Sequence, residues 1–288
     1  MKALAASSIG QYEDSVRALG DYYRTVELGL VACFRGAAGP ALLSIEPNAR
    51  PARNAIGAVV FGSDQGLVGQ FNEVVADFAM ESLAALPSKP QVWAVGERVY
   101  ARLADAGVPV TKLLTVPNSV NAIGPLVGQI LVETESLPSP IEVAELHLFY
   151  NRPTSGAIYT PVTQQLLPLN QGWRRKLVEV PWPTARPPEV LGGETATLRA
   201  LIREYLFISL FRACAESLAS ENASRLSAMQ RADKNIDDLL EELNGSFHRL
   251  RQSGIDEELF DVISGFEALS RRSAPTTADT RRSGTSWH

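Results

Sequence analysis

From Thr195 to Ser253 the chain contains no proline and one glycine, Gly245. A run of that length without a breaker exceeds an ordinary globular helix, and it constrains the fold more than any other feature. Within it Ala219, Ala223, Leu226, Met229, Ala232, Ile236, Leu240, Leu243, Phe247 and Leu250 fall three or four residues apart. From Ile236 to Leu250 the spacing averages about 3.5 residues, the period of a left-handed coiled coil. Small side chains early in the stripe and bulky ones later imply a close helix pairing that widens. A core face of a helical bundle is the plainer reading; the uncapped length favours a projecting coiled coil.

The opposite end of the chain offers a partner. From Met1 to about Arg35, Leu4, Ile9, Tyr12, Val16, Leu19, Tyr23, Val26 and Leu30 recur at roughly helical spacing with no proline among them. Gly36 to Pro51, with Gly39, Pro40, Pro47 and Pro51, reads as a loop or linker. Residues 53–180 alternate strand and helix signals. "AIGAVVFG" (Ala55 to Gly62) and "QVWAVG" (Gln91 to Gly96) are short apolar runs of the kind a buried parallel strand shows. "FNEVVADFAMESLAAL" places Phe71, Val74, Val75, Phe78 and Leu83 on one helical face, and "ERVYARLADAG" is helix-like. "VAELHLFYN" (Val143 to Asn151) and part of "SGAIYTPVTQQLLPL" alternate with period two. The expected fold is α/β: a small α/β domain with a mixed sheet, inserted between N- and C-terminal long helices that form an antiparallel coiled coil. Its segments are 1–35, 53–180 and 195–269, and 270–288 is an aperiodic, arginine-bearing tail expected to be disordered.

Composition narrows the chemistry. A net charge of -5 argues against a protein built to coat nucleic acid. Cys33 and Cys214 are the only cysteines and sit in apolar, helix-like surroundings, which suits buried thiols in a reducing compartment. His147, His248 and His288 form no ligand spacing, so zinc or triad chemistry has little material. No apolar stretch reaches the length of a membrane span. "MKALAASSIGQYEDSV" turns polar too early for a signal peptide.

One stretch does invite a catalytic reading. "FGSDQGLVGQFNE" (Phe61 to Glu73) is a Gly-rich turn after a strand, the setting of a phosphate loop. Its glycines, Gly62, Gly66 and Gly69, do not match the dinucleotide fingerprint, and no Gly-Lys-Ser/Thr end brings a cation to a phosphate. Asp64 would repel an anion there. The alternative is a turn and helix start with Ser63 or Asp64 as its cap. Asp237, Asp238, Glu241 and Glu242 look like a solvated helix face rather than an acid/base pair. Arg174, Arg175 and Lys176 fit ordinary surface better than an anion site. The residues alone thus describe a non-catalytic architecture, with no metal, cofactor or nucleotide site expected.

Four blocks carry a resemblance: "MKALAAS" (Met1 to Ser7), "SDQGLVGQFN" (Ser63 to Asn72), "SGAIYTPVTQQLLPL" (Ser155 to Leu169) and "ESLASENASRLSAMQRADKN" with the helix that follows to Leu269. Together they resemble the γ subunit of rotary F-type ATP synthases, whose signatures read S-D-R-G-L-C-G-x-F-N and S-E-x-x-x-R-x-x-A-M. The resemblance implies a central shaft whose coiled coil enters an α3β3 hexamer, while the α/β foot (Rossmann-like) touches the ε subunit and the membrane c-ring. It implies that ATP is made or hydrolysed in β, on the cytoplasmic face of a bacterial inner membrane. Met1 and Lys2 match the segment that meets the β catch loops, Arg225 the S-E-x-x-x-R arginine, and Arg251 and Gln252 the R-Q pair near the upper bearing. Ser63, Asp64, Gly66, Gly69 and Asn72 form the foot's signature turn. For Arg225 a local pairing with Glu221 across one turn is the plain alternative.

The departures are specific. Gln65 and Val68 replace the signature Arg and Cys. Gly254 and Asp256 stand where the family has better helix formers. Family members carry further residues ahead of "MKALAAS", so the resemblance implies a shaft that starts inside its first helix, or a later start than the gene's own. These features resemble the divergent γ subunits of alternate bacterial F-type ATPases. The competing functional classes are a small nucleotide-binding α/β enzyme with a helical dimerisation stalk and a coiled-coil adaptor. The first predicts ATP or NAD binding by the isolated chain.

Overall fold

The computed structural model describes residues 2–35, 56–86, 89–135, 145–155, 157–167, 177, 179–184, 186 and 193–272. The chain divides into two compact units, Met1–Gln230 and Arg231–His288.

The first unit opens with helix α1 (Lys2–Arg35). Strand β1 (Ile56–Phe61) and helix α2 (Phe71–Ala84) follow, then β2 (Gln91–Val95) and α3 (Glu97–Asp105). Next come β3 (Val110–Leu114), α4 (Val120–Glu135), β4 (Glu145–Thr154) and β5 (Ala157–Leu167). The last helix, α5, runs Glu194–Arg272. The sheet order is β3-β2-β1-β4-β5; β3, β2, β1 and β4 run parallel and β5 antiparallel to β4, so the expected mixed sheet is what the chain forms.

The apolar run of β1 has its reason in this order. As the central strand it is covered on both faces, and all of Ile56–Phe61 is buried. On one face Ala58, Val60, Val92 and Ala94 pack under Val75, Ala79 and Leu83 of α2 and Val99 and Leu103 of α3. On the other, Val59, Phe61, Trp93, Leu146, Leu148 and Tyr150 meet α4 and both long helices. Burial of the two cysteines agrees with their expected role as inert thiols. Desolvation pushes the Cys214 thiol far above its ordinary range.

Two elements were not foreseen, β3 and α4. The α4 segment holds Gly124, Pro125 and Gly128, which by local rules interrupt a helix. Ile123, Leu126, Val127 and Ile130 nonetheless fall on one helical face and are buried against the sheet. Burial of four large side chains outweighs one lost backbone hydrogen bond at Pro125.

α1 and the first part of α5 pack antiparallel, as the stripes required. Val26 and Leu30 share a core with Leu198, Tyr205 and Ile208, whereas Tyr12 packs with Cys214, Ala215 and Leu218. The Tyr23 and Tyr205 rings lie 5.9 Å apart. The Tyr22 hydroxyl donates to Glu204 at 2.8 Å. At Gly29 a Cβ would come within 3.0 Å of Leu201, so the helices meet closely there.

The expected stripe divides at the end of the first unit. Ala219 is buried and Ala223, Leu226 and Met229 are half-buried. Ile236, Leu240, Leu243, Phe247 and Leu250, expected on a coiled-coil face, are each more than half exposed in the second unit. Among the described residues, the cores that α1 and α5 share end at Ala219 and take in none of these five side chains. The helix continues through Arg272, and 273–288 lie outside the described residues. No described helix is long and apolar enough to cross a membrane.

Candidate functional site

The signature turn is a junction of three strand ends. Gly62 N–H donates to the Val95 carbonyl and Gly96 N–H to the Leu114 carbonyl, which draws the C-terminal ends of β1, β2 and β3 together. Gly96 has φ +115°, and a Cβ there would lie 2.8 Å from the Ser63 backbone; only glycine fits this approach. Ser63 is fully buried. Its N–H donates to Asn72 Oδ1 at 2.9 Å, and Asn72 Nδ2 donates to Ser63 Oγ at 2.9 Å. Asn72 thereby ties the two ends of the turn across nine residues.

Asp64 is neither free nor a cap on the helix that follows. Its Oδ1 accepts from the Glu97 N–H and its Oδ2 from the Val116 N–H, each at 3.0 Å. Glu97 is the first residue of α3, so Asp64 caps the neighbouring helix. α2 instead has Gln70 at its N-cap, with no side-chain cap hydrogen bond. That corrects the expectation that Ser63 or Asp64 would cap the helix after the turn. The cause is the sheet order, which brings the β2–α3 and β3–α4 turns beside β1. At the N-terminus of α3 the Glu97 N–H already holds a carboxylate oxygen and the Arg98 N–H holds the Ser63 carbonyl, so neither is left for a phosphate.

Between Gly66 and Gly69 the turn projects outward. Leu67 has φ 61° and is 67% exposed, and Gly69 has φ 59°. Val68 faces inward, and its carbonyl accepts from Ser224 Oγ of α5. The replacement of the family's Cys by Val68 therefore falls on a buried contact, and Gln65, in place of Arg, is exposed.

Arg225 lies one residue beyond Ser224. Its Nη2 donates to Glu221 at 2.6 Å, the local pairing that was the alternative reading. Glu221 is almost wholly buried, and its second oxygen has no partner. Burial raises its pKa, Arg225 pulls it down, and Asp64 pushes it up again. The turn and the S-E-x-x-x-R segment are thus one site, held by the Ser224–Val68 hydrogen bond, with Asp64 near enough to Glu221 to disfavour its charge. Lys2 begins α1 and is half-buried, while Met1 lies outside the described residues. Arg251 and Gln252 are exposed on the second unit's helix. Arg174, Arg175 and Lys176 also lie outside the described residues.

Sequence reasoning passed over Arg152 of β4, which reaches Glu216 of α5 at 2.9 Å. The i, i+4 pair Arg212–Glu216 was legible; the strand arginine that joins it was not.

The sequence profile of the ATP synthase family matches residues 1–269, which takes in both long helices and the whole sheet. The chain belongs to the ATP synthase family. Among its relatives is the ATP synthase gamma chain of Hyphomonas neptunium, 29% identical over 289 residues, 93% of this chain and 92% of that one. The ATP synthase gamma chain of Nitrosomonas eutropha is 25% identical over 281 residues, with the same coverage of 93% and 92%. The fold recurs in a rotational state of the Euglena gracilis mitochondrial ATP synthase, with TM-score 0.59 and 15% identity over 96% of this chain and 100% of that one. It recurs also in the Tetrahymena thermophila mitochondrial ATP synthase central stalk and c-ring, with TM-score 0.54 and 20% identity over 81% and 97%. Within an ATP synthase family member, a Gly-rich turn filled by its own aspartate reads as a structural joint.

Proposed function

We propose that the chain is the central-stalk γ subunit of a rotary F-type ATP synthase, coupling ion flow through a membrane sector to ATP synthesis or hydrolysis in β. The match of one family profile to residues 1–269 carries this reading, because it covers the coil and the foot together. The partners are then the α3β3 hexamer for the long helices, and the ε subunit and c-ring for the sheet domain. The chain works peripherally, at the cytoplasmic face of a bacterial inner membrane.

In this reading the chain performs no bond chemistry. Three β subunits of equal sequence meet an asymmetric shaft. Each receives different contacts, and those differences bias its open and closed states. Turning the shaft moves the bias from one site to the next, which is coupling between distant sites through differential contact. Met1, Lys2, Arg225, Arg251 and Gln252 are assigned to the hexamer-facing surface. The exposure of Arg251 and Gln252 supports that assignment; for Arg225, the ion pair with Glu221 gives a second duty inside the chain.

Co-expression with α and β subunits from the same genome tests the reading. The expected product is an α3β3γ complex with ATPase activity that depends on this chain. Recovery of α and β without the chain, and with no γ-dependent activity, overturns it. Titration of the isolated chain with ATP or NAD tests the enzyme alternative, for which no binding is expected.

A further inference from the structure

We propose that Arg152 is a positioning residue that locks the sheet against torsional slip on α5, so that its ion pair with Glu216 carries torque between foot and coil. This rests on the rotor reading above.

Most of the sheet–α5 interface is apolar: Leu146, Leu148 and Tyr150 against Leu210, Ala213, Cys214 and Leu218. Hydrophobic contact is non-directional, and a smooth helix face can turn on it at little cost. Directional ties oppose such motion. Among the described residues, polar contacts join the sheet side to α5 at two places: at Glu216, where Arg152 Nε donates to Oε2 at 2.9 Å and the Tyr150 hydroxyl bonds the same carboxylate, and at Ser224, whose Oγ donates to the Val68 carbonyl. Residues 216 and 224 are two turns apart, about 12 Å along the axis. Attachment at two separated points resists both sliding and rotation.

The arrangement at Glu216 shows which contact serves which purpose. The side chain is only 8% exposed, yet it has two guanidinium partners. Arg212, one turn earlier on the same helix, donates to Oε1 at 2.7 Å. That pair neutralises the buried carboxylate within α5. Arg152 is therefore not needed to keep the charge buried, and its contact is left to join strand and helix. Arg152 is also held in place from its own strand: Nη2 donates to the Tyr150 hydroxyl, and the guanidinium lies 5.5 Å from the centre of the Tyr150 ring. Tyr150 is itself buried in the sheet face. A side chain already oriented in this way loses little freedom on pairing, which makes the tie stiff.

The test uses the complete ATP synthase reconstituted in vesicles, reading ATP-driven ion pumping and ATP hydrolysis on the same preparation. Arg152→Ala leaves Glu216 paired with Arg212, so the fold is kept, and this is checked by circular dichroism. Loss of a charge-assisted bond shifts a docked–slipped equilibrium by about tenfold or more, so pumping per ATP hydrolysed should fall severalfold while hydrolysis stays near the parental rate. Arg152→Lys should restore much of the ratio. Arg212→Ala removes a partner of the same carboxylate without cutting the strand tie, and should leave the ratio unchanged. An unchanged ratio in Arg152→Ala, or an equal fall in Arg152→Ala and Arg212→Ala, overturns the lock. If the parental chain gives no γ-dependent ATPase, the rotor reading fails first and takes the lock with it. Should Arg152→Ala not fold, Glu216→Gln, which keeps the shape and weakens both ion pairs, is read in the same way.

Discussion

Asn72 uses its whole amide to hold Ser63, accepting from the backbone and donating to the hydroxyl, and all of these atoms are buried. Asn72→Ala leaves the Ser63 N–H without its partner, so a loss of about 1–3 kcal/mol is expected in a denaturant melt. Gln65→Arg, on the exposed side of the same turn, should change stability by less than about 0.5 kcal/mol. Glu221 gives a pH signature. Burial raises its pKa above the ordinary 4.5 against the pull of Arg225, with Asp64 adding to the rise. Between 4.5 and that raised value the folded chain holds a proton that the unfolded chain has released. The stability this contributes is complete below 4.5 and is lost as pH rises through the raised folded value. In Glu221→Gln that slope should vanish from melting temperatures recorded across the same range. An equally steep slope in the variant would assign it to another group.

At the scale of elements, the two kinds of helix in this chain depend on different forces. α4 exists because its apolar face is buried, in spite of Gly124, Pro125 and Gly128. Beyond Gln230 the residues of α5 are almost all exposed, so intrinsic propensity matters there as it does in a peptide. Nothing lies within 4 Å of a Cβ built on Gly254, and the same holds for Gly245. Gly254→Ala should stabilise the helix by about 1 kcal/mol, seen as higher helicity on warming by circular dichroism. α5 was legible in the sequence, because a long run without breakers has few other ways to fold. α2, α3, β1, β2, β4 and β5 were legible from periodicity and apolar runs. β3 and α4 were not: β3 is an edge strand with only Leu114 buried, so it shows no apolar run, and the signals within α4 conflict until the sheet is present to bury it.

For the whole molecule, the informative surface is the apolar stripe of the second unit. Leu243 and Phe247 are 65% and 61% exposed. A stripe of that length and spacing is costly to leave in water and marks an interaction face. Leu243→Asp with Phe247→Asp should leave the melting of the isolated chain nearly unchanged, since neither side chain is packed. Assembly with α and β, followed by gel filtration, should be lost. Assembly at the parental level would remove the stripe from the hexamer-facing surface.

The sequence by itself determined the long helices, the alternating strand and helix signals between them, and the family, because periodicity and motif spacing are local properties of the chain. It also argued against a phosphate loop, through an absent lysine and a present aspartate. Only the tertiary structure decided what that aspartate does. Asp64 binds the N–H groups of Glu97 and Val116, which lie 33 and 52 residues away and meet it only because β1, β2 and β3 are neighbours. Arg152 and Glu216 are likewise brought together across 64 residues. Such contacts follow from strand order and helix docking, and no local pattern of residues records them.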